Sequence, residues 1–244
     1  MIKPVFVVPF YNHAAAFESF ALKLAKVKLP VVVINDGSSA EERQKLGTIC
    51  QTYDFECVTL PRNGGKGAAV SAGLQYAYGK GYTHAIQIDA DGQHDLNDIE
   101  KFLSAAKKSP QAIICGAPIY DASAPKGRLI GRQITRFWVK VETFGANIAD
   151  TMCGYRVYPL GQIVPLLKHL HFMRMGFDIE ILVKSSWRNI AIINVPTKVI
   201  YPTGGVSHFK MGRDNLFISL LHTYLCCQMP VALIRKGLLK CKTR

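Results

Sequence analysis

Acidic residues and cysteines are scarce in this chain of 244 residues, and each shortage argues against a class of protein. Seven cysteines are an odd number and no two have CxxC spacing, which excludes a disulfide-rich secreted domain and the usual zinc ribbons. So few thiols are typical of a reduced cytosolic protein. With 17 acidic residues against 30 lysines and arginines, the net charge of +13 indicates an anionic partner: a nucleic acid, a phosphorylated ligand or an acidic membrane surface.

Long apolar runs are also missing from the sequence. No run approaches the roughly 18 residues that a membrane-spanning helix needs, and the N-terminus enters a strand-like run too directly for a signal peptide. We therefore expect the protein to remain in the cytoplasm. Apolar residues still make up 49% of the chain, which excludes disorder and supplies the core of one domain.

Short β-branched runs alternate with helical stretches up to about residue 118. The predicted strands are 4–9, 31–35, 55–60, 83–89 and 112–116, and the predicted helices are 14–27, 40–52, 66–79 and 95–107. This alternation predicts βαβ units and hence an α/β fold, a Rossmann-like, mostly parallel sheet flanked by helices.

The pattern changes in the second half of the chain. There the sequence predicts helices at 128–146, 176–187 and 212–227 and two strands near 190–201. Arg128, Arg132 and Arg136 recur every four residues, which puts them on one face of the first of these helices. We expect a single domain over 1–210 and a basic, amphipathic C-terminal extension over 211–244 that is not a domain of its own.

Carboxylates follow the fourth predicted strand. Asp89 and Asp91, separated by one residue at the end of an apolar run, point the same way if the backbone stays extended. They can then share a divalent cation, with Gln93 as a neutral oxygen ligand. The alternative is a solvated strand-to-helix turn with Asp95 as the helix N-cap.

Two more loops lie at the strand ends where open α/β sheets bind ligands. Asp36 follows the second predicted strand, where an acidic group commonly meets a ribose hydroxyl or base edge, although Asp-Gly is also ordinary turn chemistry. Lys66 lies in the glycine-rich loop 62–67 at a helix start, a combination that favours anions. Gly67 after that lysine excludes a P-loop, and Val70 excludes the dinucleotide fingerprint.

Together these segments resemble those of family 2 glycosyltransferases, which have the GT-A fold. The resemblance rests on Val-Pro-Phe-Tyr-Asn (8–12), Val-Ile-Asn-Asp-Gly-Ser (33–38), Asn-Gly-Gly-Lys-Gly (63–67) and Asp-Ala-Asp-Gly-Gln-His (89–94). Within that family, Asp-Thr-Met-Cys-Gly-Tyr-Arg-Val-Tyr (150–158) and Gly-Phe-Asp-Ile-Glu (176–180) are similar to motifs of the dolichyl- or polyprenyl-phosphate sugar transferase branch.

The resemblance implies a metal-dependent, inverting hexosyltransferase whose catalytic domain is 1–210. It would move a sugar from a UDP- or GDP-linked nucleotide sugar to a lipid-linked or phosphate-bearing acceptor at the cytoplasmic membrane surface. The implied nucleotide-sugar residues are Pro9, Tyr11, Asp36, Lys66 and Asp89. The implied ligands of Mg²⁺ or Mn²⁺ are Asp89, the catalytic Asp91 and Gln93, and the implied acceptor residues are Arg128 and Arg132. We also expect His208 to reach the metal from its loop, and Arg136 and Arg156 to bind the acceptor.

The acceptor's chemistry decides whether a general base is needed. A phosphate acceptor is already anionic, so aligned arginines would suffice to hold it. A hydroxyl acceptor needs a carboxylate to take its proton, and Asp150 and Asp178 are the candidates. Asp178 is equally explained as a buried polar anchor at a helix start. A lone histidine such as His208 is more often a surface or packing residue than a ligand.

The chain departs from this branch in two places. Cys153 replaces the branch's serine, and no pair of membrane-spanning segments follows the catalytic domain. From Lys210 to Arg244, seven lysines and arginines and one acid, Asp214, frame apolar helical segments. Such a pattern suits an anionic membrane surface. The alternative is a core-packed helix with a disordered basic end.

Two other functions fit parts of the sequence. A sugar-1-phosphate nucleotidyltransferase shares the sheet architecture, but it typically opens with Gly-x-Gly-Thr-Arg where this chain has Pro-Phe-Tyr-Asn (9–12). A catalytically silent membrane- or nucleic-acid-binding module would use the positive charge, although intact Asp89 and Asp91 argue against a silent protein. The basic residues are not interleaved with aromatic ones in a recognisable motif, so we expect no nucleic-acid partner.

Overall fold

A computed structural model of the chain describes residues 1–119, 126–199 and 211–242. Its strands are β1 (Pro4–Phe10), β2 (Val31–Asn35), β3 (Glu56–Thr59), β4 (His84–Gln87), β5 (Ile113–Ile119), β6 (Arg156–Pro159) and β7 (Ile192–Lys198). Its helices are α1 (Ala14–Ala25), α2 (Ala40–Tyr53), α3 (Lys66–Gly79), α4 (Ile99–Lys108), α5 (Lys126–Glu142), α6 (Leu160–Leu167), α7 (Phe177–Trp187) and α8 (Met211–Lys242).

The seven strands form one sheet in the order β3-β2-β1-β4-β6-β5-β7. Neighbouring strands are parallel except at β6, which runs antiparallel to both β4 and β5. The carboxyl ends of β1, β2 and β4 therefore lie side by side, at what we call the carboxyl edge. The prediction of a mostly parallel α/β sheet flanked by helices is confirmed.

Apolar side chains of the central strands fill a core on each face of the sheet. Val5 and Val7 of β1 pack on one face, while Phe6 and Val8 pack on the other, because successive side chains of a strand point to opposite faces. All four are fully buried. Helix α3 approaches the first face closely, since a Cβ at Gly73 would lie 2.4 Å from Cγ1 of Val7.

Several predicted elements need correction. The described residues near 190–201 contain one strand, β7, rather than two. Two elements, β6 and α6, are present in addition to those predicted. β6 is a buried strand that carries the charged Arg156, and α6 is a helix that contains Pro165. A charge in a buried strand and a proline inside a helix both depart from the sequence patterns by which such elements are predicted. β4 ends at Gln87, and Asp91 lies in a turn, so the backbone does not stay extended from strand to Asp91.

The C-terminal helix α8 packs on the rest of the molecule along one side. Leu221 and Leu225 are fully buried, and Nδ1 of His222 lies 2.7 Å from Oε1 of the buried Glu142 in α5. By length and composition alone, its segment Asp214–Ile234 could cross a membrane, and 28% of its most apolar stretch is buried. The expectation that no segment reaches that length is therefore wrong.

Candidate active site

The loops that follow β1, β2 and β4 meet at the carboxyl edge of the sheet. They carry Tyr11, Asp36 and Asp89 respectively. Pro9 is half-buried near the end of β1, where it lies beside Ile34 of β2, and Tyr11 is 41% exposed at the rim. The parallel register of these strands thus brings together side chains that lie far apart in the sequence.

The carboxylate of Asp36 holds the glycine-rich loop by accepting hydrogen bonds from it. Its Oδ1 accepts a hydrogen bond of 2.8 Å from the amide of Gly64, and its Oδ2 accepts bonds from the amide of Gly65 at 2.8 Å and from Nδ2 of Asn63 at 3.0 Å. Burial raises the pKa of Asp36 above its ordinary value, although the two backbone amides oppose this. Asp36 therefore shapes the glycine-rich loop. Its position is compatible with both interpretations of this residue, as part of a turn and as a ligand of the nucleotide.

Lys66 is the first residue of α3 and reaches into the cluster of carboxylates. Its Nζ lies 2.8 Å from Oδ1 and 3.0 Å from Oδ2 of Asp89, and 2.9 Å from Oδ2 of Asp178. Burial opposes the charged ammonium, but the charges of Asp178 and Asp89 prevail and raise the pKa of Lys66. The lysine therefore stays protonated and bridges the loop after β4 to the start of α7.

Asp89 lies against the backbone of Gly154. A Cβ at that glycine would lie 2.2 Å from Oδ2 and 2.5 Å from Oδ1 of Asp89, so no other residue fits there without moving the carboxylate. Nε2 of His94 lies 3.9 Å from Oδ2 of Asp89. Burial alone would raise the pKa of Asp89, but Lys66 and His94 hold it well below the ordinary value. Asp89 is therefore a fixed anion at the centre of the edge.

Asp91 lies at the exposed mouth of the same loop. Its Oδ1 accepts a hydrogen bond of 3.0 Å from the amide of Gln93, whose side chain is half-buried. Surrounding protein and the nearby charge of Asp89 raise the pKa of Asp91. The two aspartates thus repel each other, as two ligands of one cation do in its absence. Within residues 1–119, 126–199 and 211–242, no group of three His, Cys, Asp or Glu side chains is arranged to hold a metal.

Arg156 is sealed inside the protein, where it supports Asp178. Its guanidinium donates hydrogen bonds to the carbonyl oxygens of Thr151, Cys153 and Asp178 and to the hydroxyl of Tyr158, at 2.7–3.1 Å. Its NH1 also lies 3.4 Å from Oδ1 of Asp178. The prediction that Arg156 binds the acceptor is wrong, because the side chain is 0% exposed and its donors are directed at protein groups.

Arg132 of α5 is paired with Asp150. The distance from its NH1 to Oδ2 of Asp150 is 2.5 Å, and Oδ1 of Asp150 accepts hydrogen bonds of 2.7 Å from the amides of Met152 and Cys153. These bonds fold residues 150–154 into a tight segment whose last member is the glycine against Asp89. One short segment therefore contacts both the α5 arginine and the central aspartate.

For the remaining predicted site residues, Arg128, Arg136 and His208, the described part of the structure gives no contact within the site. Arg136 is exposed on α5. Arg128 belongs to the same helix, but its side chain is not among those described, and His208 lies outside the described residues. The metal role of His208 and the acceptor roles of these two arginines stay predictions.

Two residues of the site go unnoticed in the sequence. Gly154 stands inside a recognised motif, but only the structure relates it to Asp89. Arg174 lies beside the glycine-rich loop, with its NH1 3.5 Å from Oδ1 of Asn63, and a Cβ at Gly65 would lie 2.6 Å from its Cγ. No local pattern marks Arg174, because a long stretch of chain separates it from the loop that it contacts.

The sequence model of Glycosyl transferase family 2 matches residues 5–158, the part of the chain that runs from β1 to β6 and includes every loop of the carboxyl edge. The chain belongs to this family. The predicted family 2 assignment is confirmed, and it favours a glycosyltransferase over a nucleotidyltransferase or a silent module.

Relatives of this family 2 chain support the predicted branch. A dolichyl-phosphate β-glucosyltransferase of Saccharomyces cerevisiae is 25% identical over 88% of this chain and 74% of its own length. Its counterpart in Mus musculus is 29% identical over 78% of this chain, which spans only 63% of the mouse protein. A UDP-N-acetylglucosamine–dolichyl-phosphate N-acetylglucosaminyltransferase of Methanococcus voltae is 23% identical over 86% of this chain and 88% of its own length.

Solved structures confirm the GT-A fold of the family 2 chain. Glucosyl-3-phosphoglycerate synthase of Mycobacterium tuberculosis in complex with UDP has a TM-score of 0.63 and 17% identity, covering 97% of this chain and 80% of that one. The same enzyme in complex with Mn²⁺ and UDP-glucose has a TM-score of 0.63 and 15% identity, covering 97% and 79%. At this level of identity the likeness concerns the fold.

Proposed function

We propose that this family 2 chain transfers a hexose from a UDP-linked sugar to a polyprenyl phosphate of the dolichyl type, with a divalent cation and with inversion. The observation that carries the proposal is the segment 150–154, which contacts Arg132 at one end and Asp89 at the other. The segment thus links an arginine suited to a phosphate with a carboxylate suited to a donor's cation. The names of the yeast and mouse relatives support the same acceptor.

The donor would lie along the carboxyl edge. Pro9 and Tyr11 border the space for the nucleoside, and the loop that Asp36 holds presents its glycines to the diphosphate. Lys66 stands at the N-terminus of α3, where the helix dipole and the ammonium both favour phosphate. UDP is our choice of nucleotide because the structural neighbours were solved with UDP and UDP-glucose.

The carboxylates of this site fit Mg²⁺ or Mn²⁺ as a partial ligand set. Asp89 and Asp91 offer hard oxygen ligands. Burial and the negative charge of Asp89 both raise the pKa of Asp91, and a shared cation would relieve the repulsion between the two carboxylates. Two carboxylates suit a cation that takes further ligands from a substrate diphosphate. When bound, the cation would neutralise the charge that develops on the departing diphosphate.

A phosphate acceptor fits this site better than a hydroxyl. Asp150 already accepts bonds from Arg132 and two amides, and Asp178 is bound by Lys66 and Arg156, so both proposed bases are committed to other groups. A phosphate oxygen needs no base and could attack the anomeric carbon opposite the leaving diphosphate, which inverts that carbon. Arg132 would orient it.

An anionic membrane surface is the partner that we propose for α5 and α8. Their exposed apolar side chains, 40–65% accessible, are Ile130, Ile134, Phe137, Trp138 and Val141 of α5 and Leu216, Phe217, Leu220, Val231, Leu233 and Ile234 of α8. Those of α5 recur about once per turn, and the basic Arg136 and Lys140 share the helix with them. A stripe of this kind beside positive charge suits the interface of an anionic bilayer. We propose that the protein binds the cytoplasmic face of that bilayer.

The proposed function is tested by Asp91→Ala, with Glu100→Ala as a control at an exposed acid outside the site. UDP with Mn²⁺ should raise the melting temperature of the wild type and of Glu100→Ala, because a ligand that binds the native state stabilises it. Asp91→Ala should lose both this shift and glucosyl transfer from UDP-glucose to dolichyl phosphate.

Dolichol without its phosphate serves as the control acceptor in the same assay. The proposed function is contradicted if UDP shifts the melting temperature of the wild type equally with and without Mn²⁺, or if dolichol accepts the sugar as well as dolichyl phosphate does.

A further inference from the structure

The ammonium of Lys66 occupies the place around Asp89 that a divalent cation needs. It contacts both carboxylate oxygens, at 2.8 and 3.0 Å, with the Asp89 side chain only 24% exposed. Gly154 closes another side of the carboxylate, since even a methyl group there would overlap it. Mg²⁺ binds oxygen at about 2.0–2.1 Å, so a cation on Asp89 would stand next to the lysine's own positive charge.

Lys66 has a second anchor that lets it leave Asp89 without losing its charge partner. Its Nζ lies 2.9 Å from Oδ2 of Asp178, whose Oδ1 is held by Gln87 at 3.3 Å and by Arg156 at 3.4 Å. An ammonium has three donors, so it can stay on Asp178 while it turns another donor from Asp89 to a phosphate oxygen.

We propose that Lys66 is a built-in counterion that keeps Asp89 closed to a free divalent cation and releases it when the nucleotide diphosphate arrives. The inference rests on the proposed function, because it assigns the cation to Asp89 and Asp91. Lys66 is then a positioning residue for the cation as well as a phosphate ligand, and the site takes up the cation together with the nucleotide rather than ahead of it.

The test measures Mn²⁺ binding to the full chain by electron paramagnetic resonance, with and without UDP. Lys66→Gln and Lys66→Met remove the charge, and Lys80→Gln is the matched control at the other end of α3, where the lysine is exposed and contacts Glu56. Without UDP, both Lys66 variants should bind Mn²⁺ at least about tenfold more tightly than the wild type, because the competing charge is gone. Lys80→Gln should match the wild type.

A variant that is damaged in its fold would bind Mn²⁺ more weakly, so a gain in Mn²⁺ affinity cannot result from such damage. A folded Lys66 variant that binds Mn²⁺ no more tightly than the wild type overturns the inference. If instead the wild type shows no UDP-dependent Mn²⁺ binding at all, the proposed function itself fails, so the two failures are distinguishable.

A second measurement uses the wild type and needs no variant to fold. The ¹³C resonance of Cε in Lys66 should shift when diamagnetic Mg²⁺ and UDP are added together, and it should stay in place with Mg²⁺ alone at the same concentration. A shift of equal size with Mg²⁺ alone contradicts the inference, because the lysine would then yield to the free cation.

Discussion

In the proposed donor half of the molecule, β1 to β4 with their loops, Asp36 is held differently from Asp150 in the proposed acceptor half, β5 to β7 with α5 to α8. Asp36 is held by the amides of a loop. In the acceptor half, Asp150 accepts bonds from the amides of Met152 and Cys153 and in addition pairs with Arg132 of α5. The amide bonds to Asp36 shape a loop that stays ready for a ligand, whereas the added ion pair of Arg132 and Asp150 also fixes α5 to the segment before β6.

The ion pair of Lys66 and Asp178 joins the two halves. Lys66 begins α3 in the donor half, and Asp178 lies in the first turn of α7 in the acceptor half. Substitutions in the two halves should therefore have different effects. Each of the following substitutions should mainly change one property: stability, donor binding, transfer or membrane attachment.

The largest effect should come from removing the charge that holds the acceptor half. Arg156→Met removes the donor of three buried carbonyl groups and one of the two cations beside Asp178, and the expected loss in the free energy of unfolding is about 3–5 kcal/mol. Urea denaturation measures it. Arg136→Met, at an exposed arginine, should change it by no more than about 0.5 kcal/mol. A loss below about 1 kcal/mol for Arg156→Met would show that the buried guanidinium is dispensable.

A smaller effect, confined to donor binding, is expected from Gly154→Ala. The added Cβ displaces the Asp89 carboxylate, so the Mn²⁺-dependent affinity for UDP should fall about 10–100-fold. Isothermal titration calorimetry measures it. Gly161→Ala in α6 is the control, because nothing lies within 4 Å of its added Cβ, and it should bind UDP like the wild type. Unchanged affinity in Gly154→Ala would mean that Asp89 does not position the donor.

Arg132→Ala should separate acceptor from donor. Loss of a charge-assisted hydrogen bond to the acceptor phosphate should slow transfer to dolichyl phosphate about 10–100-fold, while UDP affinity stays within about twofold of the wild type. Arg132→Lys, which keeps the charge, should retain more transfer than Arg132→Ala. If UDP affinity falls in parallel with transfer, Arg132 belongs to the donor half in function, and a hydroxyl acceptor with Asp150 or Asp178 as base becomes the better proposal.

The smallest effect should concern membrane attachment. Phe137→Ser in α5 should weaken binding to phosphatidylserine vesicles by about tenfold or less, because one half-exposed apolar side chain is lost. Sedimentation with the vesicles measures it. Leu22→Ser in α1, at a residue 47% exposed, is the matched control and should bind like the wild type. Equal losses in both variants would remove the distinction between the α5 stripe and any other exposed apolar residue.

The two halves also differ in how far the sequence predicts them. β1 and β2 are buried on both faces and are therefore continuous apolar runs, and Asp36 and Asp89 follow directly from where such strands end. β6 is not predicted from the sequence because all its residues are buried and one of them is Arg156. A charged residue is seldom fully buried, so its presence argues against a buried strand. The bridge from Lys66 to Asp178 and the contact of Gly154 with Asp89 join distant segments, and no local pattern encodes such a pairing.

The antiparallel strand β6 has a consequence for the order in which the chain can fold. β1, β2, β3 and β4 pair among themselves as soon as they have been synthesised, but the second edge of β4 pairs only with β6, which follows α5 in the sequence. β5 also borders β6, so it cannot join the sheet before that strand has emerged. A nascent chain that has left the ribosome only as far as α5 therefore carries β4 with an open edge, which is the stage most exposed to pairing with another chain.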